Sequence, residues 1–432
     1  MKTATAIPFA AGISRRDITP KENIWMGGFA FRDRPSESVL APLWAKALAL
    51  SEADGDAGLV VVTIDRVGLS TELMGSIETE CEDRFGLARE KLVIFCSHTH
   101  SGPMDWPSVW MKDDPEEIAK VEKYSQWMVE RVVDAVGEAI AHRKPASLGF
   151  SQGLAGFGVN RRRARPGCRH FPGPVDQDVP VLRIADAEGK NMAILFGYAC
   201  HATSLAGYEI SGDWPGFACE MIEGRHAETT AFFIPGCGAD INPLPRLLPG
   251  REVALSKMYG EIMANAVDLA LSTNDSGRER PLSGPLTIRR GEAELFYENI
   301  PGEAEIAVLQ QHSDPMMRRS GRDLHAMSKS PEGIPLSLKY PAWVMRMGDL
   351  LWIALSGEVT VDYALALKAR YGWETTWVSA YASPVKTYFP SRRVWQEGGY
   401  EAAGCMLYSS HPSRFREDVE TRILEMVENL AL

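Results

Sequence analysis

No run in this sequence approaches the roughly 20 consecutive apolar residues that span a bilayer, so no transmembrane helix is expected. Positive charge is also scarce: 46 Lys and Arg stand against 57 Asp and Glu, a net charge of −11. The one basic cluster is Arg161–Arg165. Binding phosphate backbones needs a positive face, so nucleic acid is excluded as a partner. The seven cysteines are odd in number and have no Cys-x-x-Cys spacing, which excludes a disulfide framework and leaves reduced, partly buried thiols. No Gly-x-Ser-x-Gly nucleophile elbow is present. The opening, Met1 to Pro8, lacks the apolar stretch of a secretion signal, so the protein reads as cytoplasmic. Linkers rich in Ser, Gly or Pro, low-complexity tracts and short repeats are missing too. The 432 residues therefore read as a single large catalytic domain over 1–432, with insertions such as the polar stretch Glu303–Lys329.

What the chain does have is a recurring corner. The apolar run Leu92 to Phe95 leads into Cys96-Ser97-His98-Thr99-His100-Ser101-Gly102-Pro103. Two histidines two residues apart on an extended segment point to the same side. Imidazole is the commonest protein ligand for zinc, so the pair suits half of a metal site. A second run, Ala193 to Ala199, ends at Cys200-His201, and the nearby Ser211-Gly212-Asp213-Trp214-Pro215 suits a helix start. A third, Ala231 to Ile234, enters the Gly-rich corner that carries Asp240. A fourth, Leu351 to Leu355, ends at Ser356-Gly357-Glu358, and a fifth, Thr376 to Tyr381, precedes Tyr388. In open α/β sheets ligands bind just outside strand ends, so these corners are expected to converge on one site.

Between the runs the spacing turns helical over Thr71–Phe85, Glu116–His142, Gly216–Arg225 and Val253–Leu271, with a terminal helix over Arg414–Leu430. The stretches 282–297 and 336–355 read as strand meanders. The fold class is therefore α/β, with mixed β-sheet or sheets flanked by helices.

The motifs HTHSGP, ACHATS, SGDWPG, GCGADINP, SGE and YFPSRRVWQEGGYE, with the opening AGISRRDITP, resemble neutral/alkaline non-lysosomal ceramidases and their bacterial relatives, from about Gly12 to Glu401. The resemblance implies a zinc amidohydrolase. It implies Zn2+ ligands at His98, His201, Glu358 and Tyr388, and contacts to the scissile carbonyl from His100 and Arg161. Two departures limit it. The loop after HTHSGP reads Met104-Asp105-Trp106-Pro107-Ser108-Val109-Trp110-Met111 where further glycines are usual. After Glu401 only a terminal helix follows, with no separate C-terminal β-sandwich domain.

The chemistry fits the implied set. Two imidazoles and a carboxylate are a familiar catalytic zinc set, and zinc brings the pKa of water from 15.7 to roughly 7. Arg161 and His100 would stabilise a developing oxyanion, and His100 would then protonate the leaving amine. A metal-bound imidazole usually passes its other N–H to a carboxylate or carbonyl, which makes Asp213 and Asp240 the candidate supports. Competing roles stay open: a helix cap for Glu358, a packed aromatic for Tyr388, a turn or cap for either Asp, and any arginine of Arg161–Arg165 as the one facing the site.

The expected function is zinc-dependent hydrolysis of an N-acyl amide, ceramide-like or smaller, with an ester or lactone as the alternative substrate. A metal-independent hydrolase built on Ser101 or Cys237 with His100, and a non-catalytic zinc-binding protein, are the readings from other classes. A small-molecule or lipid-like amide is the expected partner.

Overall fold

The structure is a computed structural model that describes residues 8–53, 55–56, 58–104, 114–162, 173–272 and 279–432. Thirteen strands form one sheet: β1 Phe9–Asp17, β2 Trp44–Glu52, β3 Leu59–Ile64, β4 Leu92–Cys96, β5 Lys144–Leu154, β6 Asp178–Asp186, β7 Asn191–Tyr198, β8 Thr230–Pro235, β9 Arg280–Leu282, β10 Leu286–Phe296, β11 Ser337–Met347, β12 Leu350–Ser356 and β13 Thr376–Ala382. Their spatial order is β8-β7-β6-β5-β1-β2-β3-β4-β13-β12-β11-β10, with β9 paired to β5. The sheet is mixed, as the sequence implied: β7–β8, β3–β4 and β12–β13 are parallel, while the pairings β1–β2, β5–β6 and β10–β11 are antiparallel.

Alternation along the strands sets the layers. In β3, Leu59 and Val61 face a core shared by both halves of the sheet, while Val60, Val62 and Ile64 face helices Thr71–Phe85 and Pro115–Ala141. Helices Asp213–Arg225 and Glu252–Ser272 cover β6–β8, and helices Val361–Tyr371 and Val419–Ala431 cover β10–β13. The terminal helix begins later than its spacing suggested. Phe415 forms a bridge with Tyr297 and Arg414 pairs with Glu298 at 2.5 Å, which holds that stretch extended. The polar stretch 303–329 folds as two helices, Glu303–Gln310 and Pro315–Lys329. No helix of the described residues is long and apolar enough to cross a membrane.

Trp352 anchors the shared core. Its ring stacks between Phe95 at 5.8 Å and Trp377 at 4.5 Å, and its Nε1 donates to Ser379 Oγ at 2.8 Å. Trp352→Ala opens a cavity and removes that hydrogen bond, so it is expected to lower unfolding free energy by ~3–5 kcal/mol. Urea denaturation followed by circular dichroism measures this, and a loss under 1 kcal/mol would contradict the packing.

The site owes its position to one seam. Strands β4 and β13 run antiparallel but pair only at Phe95↔Ala382, so their C-terminal ends meet head on. Just beyond that contact lie His98, after β4, and Glu358, after β12.

Candidate metal centre and active site

Three residues at or near the site have a constrained backbone. His98 has φ 58°, Asp213 φ 55° and Tyr381 φ 56°, left-handed conformations that cost a residue with a Cβ roughly 1–2 kcal/mol each. Such outliers cluster where function over-determines the backbone. At His98 the turn sends the imidazole inward instead of along the strand. Tyr381 places its ring against His98, with centroids 4.5 Å apart.

His98, His201 and Glu358 come together. Both imidazole Nε2 atoms lie 3.3 Å from the same oxygen, Glu358 Oε2. His98 Nδ1 is 2.6 Å from Val67 O and His201 Nδ1 is 2.6 Å from Gly238 O. A carbonyl only accepts, so both Nδ1 atoms carry a proton, and in the neutral rings both Nε2 atoms are bare. Two lone pairs and a carboxylate oxygen thus face one another. Glu358 Oε2 is buried and meets no donor of good hydrogen-bond geometry. Orphaned acceptors converging in a buried site are costly unless a cation lies among them. The donor set fits zinc, with backbone carbonyls as the outer partners of both rings.

The electrostatics agree. Burial, then the charge of Arg161, pushes His201 down to about 4, so it is neutral at physiological pH.

His100 Nε2 lies 3.2 Å from His98 Nε2, and His98, His100 and His201 offer ring nitrogens within 4.8 Å of one another. Because His98 Nε2 is bare, His100 Nε2 carries the proton between them. Burial keeps His100 well below its ordinary pKa, hence neutral. Its ring rests on Gly28, where a Cβ would lie 2.4 Å from His100 Cγ, and edge-on to Phe29 at 4.7 Å.

Tyr388 reaches the centre through the parallel pairing Glu358↔Tyr388, which sets the two side by side. Its hydroxyl is 3.4 Å from His201 Nε2 and 3.4 Å from Arg161 Nη2. Burial raises its pKa well above the ordinary tyrosine value, so the phenol keeps its proton. Of the arginine cluster, Arg161 is the one beside Tyr388. Arg162 instead meets Glu397 at 3.1 Å and Glu401 at 2.5 Å, and Arg163 and Arg165 lie outside the described residues. Trp106, Trp110 and Met111 also lie outside them.

The two aspartates do not meet the imidazoles. Asp213 is fully buried and accepts from the Ser204 hydroxyl and from the backbone N–H groups of Leu205 at 3.0 Å and Trp214 at 2.6 Å. It therefore fastens the loop after His201 to the helix start, while the ring it was expected to hold bonds Gly238. Asp240 accepts from Val361 N at 2.9 Å and Asn160 Nδ2 at 2.9 Å, and its carbonyl accepts from Arg161 N at 2.8 Å. It braces the backbone of Arg161, one step from the centre. Among the described residues no cysteine forms a disulfide, and Cys200 packs in an apolar cluster.

Residues that the motifs did not single out are Val67, Gly238, Gly28, Tyr381 and Glu401. A backbone carbonyl such as that of Val67 or Gly238 leaves no mark in sequence. The Gly27-Gly28 pair was a usable sign of close approach.

The fold recurs in known proteins. The neutral ceramidase from Pseudomonas aeruginosa superposes with a TM-score of 0.76 at 18% identity, over 99% of this chain and 75% of that one. A ceramidase complexed with C2 gives 0.76 at 17%, over 98% and 75%. Neutral ceramidase A of Dictyostelium discoideum is 25% identical over 224 residues, which is 49% of this chain and 29% of that protein. The chain thus aligns with under a third of this curated relative's length. The sequence profile described as neutral/alkaline non-lysosomal ceramidase, N-terminal, matches residues 9–239, the stretch that carries His98 and His201. By that match, on a fold of the same kind, the chain belongs to the neutral/alkaline non-lysosomal ceramidase family.

Proposed function

We propose that this chain is a zinc-dependent hydrolase of N-acyl amides, with ceramide-like lipids as its substrate class. One observation carries the reading: two bare Nε2 atoms, each backed by a carbonyl on its Nδ1, converge at 3.3 Å on an orphaned carboxylate oxygen. His98, His201 and Glu358 would hold the ion, with the Tyr388 hydroxyl beside them. A zinc ion held there supplies Lewis acidity for a carbonyl and makes water a nucleophile at neutral pH.

The remaining work belongs to the chain's own groups. Arg161 stays cationic: burial opposes its charge, but the Glu401 carboxylate it donates to holds its pKa up. Its Nη1 hydrogens have no partner among the described residues and are free to meet an oxyanion. His100 carries a proton on Nε2, aimed at the same point as the converging acceptors. That proton suits the carbonyl oxygen first and the departing nitrogen second, since an amine leaves only when protonated. The ligand candidates come from both halves of the sheet, so the proposal treats the chain as one catalytic unit.

The test incubates zinc-loaded protein with short- and long-chain N-acyl sphingosines and measures free sphingosine by mass spectrometry. Release by the wild type and none by His98→Ala is the expected result. No release from protein shown to hold zinc would overturn the ceramide assignment and leave another amide or an ester as the substrate.

A further inference from the structure

Arg161 and Arg162 are neighbours in sequence, yet their guanidinium groups turn to the same distant carboxylate. Glu401 Oε1 accepts from Arg161 Nε at 2.8 Å, and Glu401 Oε2 accepts from Arg162 Nη1 at 2.5 Å. Glu401 is 4% exposed and belongs to a single π-helical turn, Tyr400–Gly404. Such turns are rare and recur at functional sites. Arg162 is itself tied down, donating through Nη2 to Glu397 Oε2 at 3.1 Å and to Gly398 O at 2.8 Å. The Arg161 backbone is fixed by Asp240 O at 2.8 Å. Thus the carboxylate is clamped on one side and grips the Arg161 fork on the other.

An arginine fork is planar, so engaging Nε fixes the direction of both Nη groups. With Nε occupied by Glu401, Nη2 lies 3.4 Å from the Tyr388 hydroxyl, and Nη1 is left over. A guanidinium free to rotate would lose that aim, and charge stabilisation depends on donors standing in place before the charge develops.

We propose that Glu401 is the positioning residue of the active site: it holds the Arg161 guanidinium toward the metal centre, with Arg162 as its anchor. The inference rests on the proposed hydrolase reading, in which Arg161 meets the oxyanion. Glu401 acts only through Arg161 and touches neither metal nor substrate.

The experiment compares wild type, Glu401→Gln, Glu401→Asp, Arg161→Ala and the double variant Arg161→Ala with Glu401→Gln. Glutamine keeps the volume but turns an N–H toward one arginine, so kcat for the N-acyl sphingosine is expected to fall by ~10²-fold, with KM and zinc content unchanged. Aspartate is expected to recover part of the loss. The double variant is expected to be no slower than Arg161→Ala alone, because nothing remains to position. A separate readout needs no turnover: in nuclear magnetic resonance of arginine-labelled protein, the Arg161 Nε–H signal is slow to exchange in wild type and fast in Glu401→Gln. Arg161→Lys assigns that signal. A double variant slower than either single one, or an unchanged Nε–H exchange rate, overturns the proposal. Wild type that fails to cleave the amide while Nε–H exchange still responds to Glu401→Gln overturns the hydrolase reading alone.

Discussion

Glu358→Gln is expected to lower amide hydrolysis by at least ~10³-fold, because the Lewis acidity of a bound zinc contributes several kcal/mol to the transition state and each 1.36 kcal/mol is tenfold. Zinc content after dialysis is expected to fall with it. The substitution keeps shape and volume but removes the charge that two bare imidazole nitrogens share at 3.3 Å. Glutamine also brings an N–H that one Nε2 can accept. The converging acceptors are then satisfied without a cation. A second, opposite effect follows: with metal stripped from both proteins, the variant is expected to melt at a higher temperature than the wild type, whose carboxylate stays buried against lone pairs. Elemental analysis and thermal melts in chelator read the two effects. A variant that keeps its zinc and its activity would remove Glu358 from the centre.

Gly28→Ala is expected to lower kcat by ~10²-fold, the usual cost of displacing a reacting group by about 1 Å, while zinc content stays at the wild-type level. A Cβ here would lie 2.4 Å from His100 Cγ and 2.6 Å from His100 Nδ1, at a residue whose φ is 93°. The ring must move, and its Nε2–H moves with it, but His98, His201 and Glu358 are not touched. Full activity in the variant would show that the proton on His100 Nε2 is not needed where it stands. The two substitutions separate the roles: one empties the centre, the other leaves it loaded with its donor out of line.

The strands that lead into the site were legible because each is apolar and short and ends in a polar corner. Leu92–Cys96, Thr230–Pro235 and Leu350–Ser356 lie within a residue or two of where composition put them. Helix Thr71–Phe85 matches residue for residue, since Ser70 caps it and Gly86, with φ 63°, ends it. His98, His201 and Glu358 were visible as polar residues at strand ends. What sequence did not carry was pairing between distant corners. Nothing local to Arg161 says that Glu401 holds it rather than a neighbour. Nothing near His201 says that its partner is the Gly238 carbonyl rather than Asp213. Asp213 misled because proximity in sequence stood in for direction; its left-handed backbone turns the carboxylate toward the Ser204–Leu205 loop.

The pairing of Glu358 with Tyr388 closes the centre from residues far down the chain from His98. Ribosomes add ~5–20 residues per second, so 290 residues separate the first imidazole from the phenol by roughly 15–60 s of synthesis. Until residue 358 has been made, the nascent histidines have no Glu358 carboxylate opposite them. Under the proposed assignment, a zinc ion would find its full set of ligands only after residue 388 has been made.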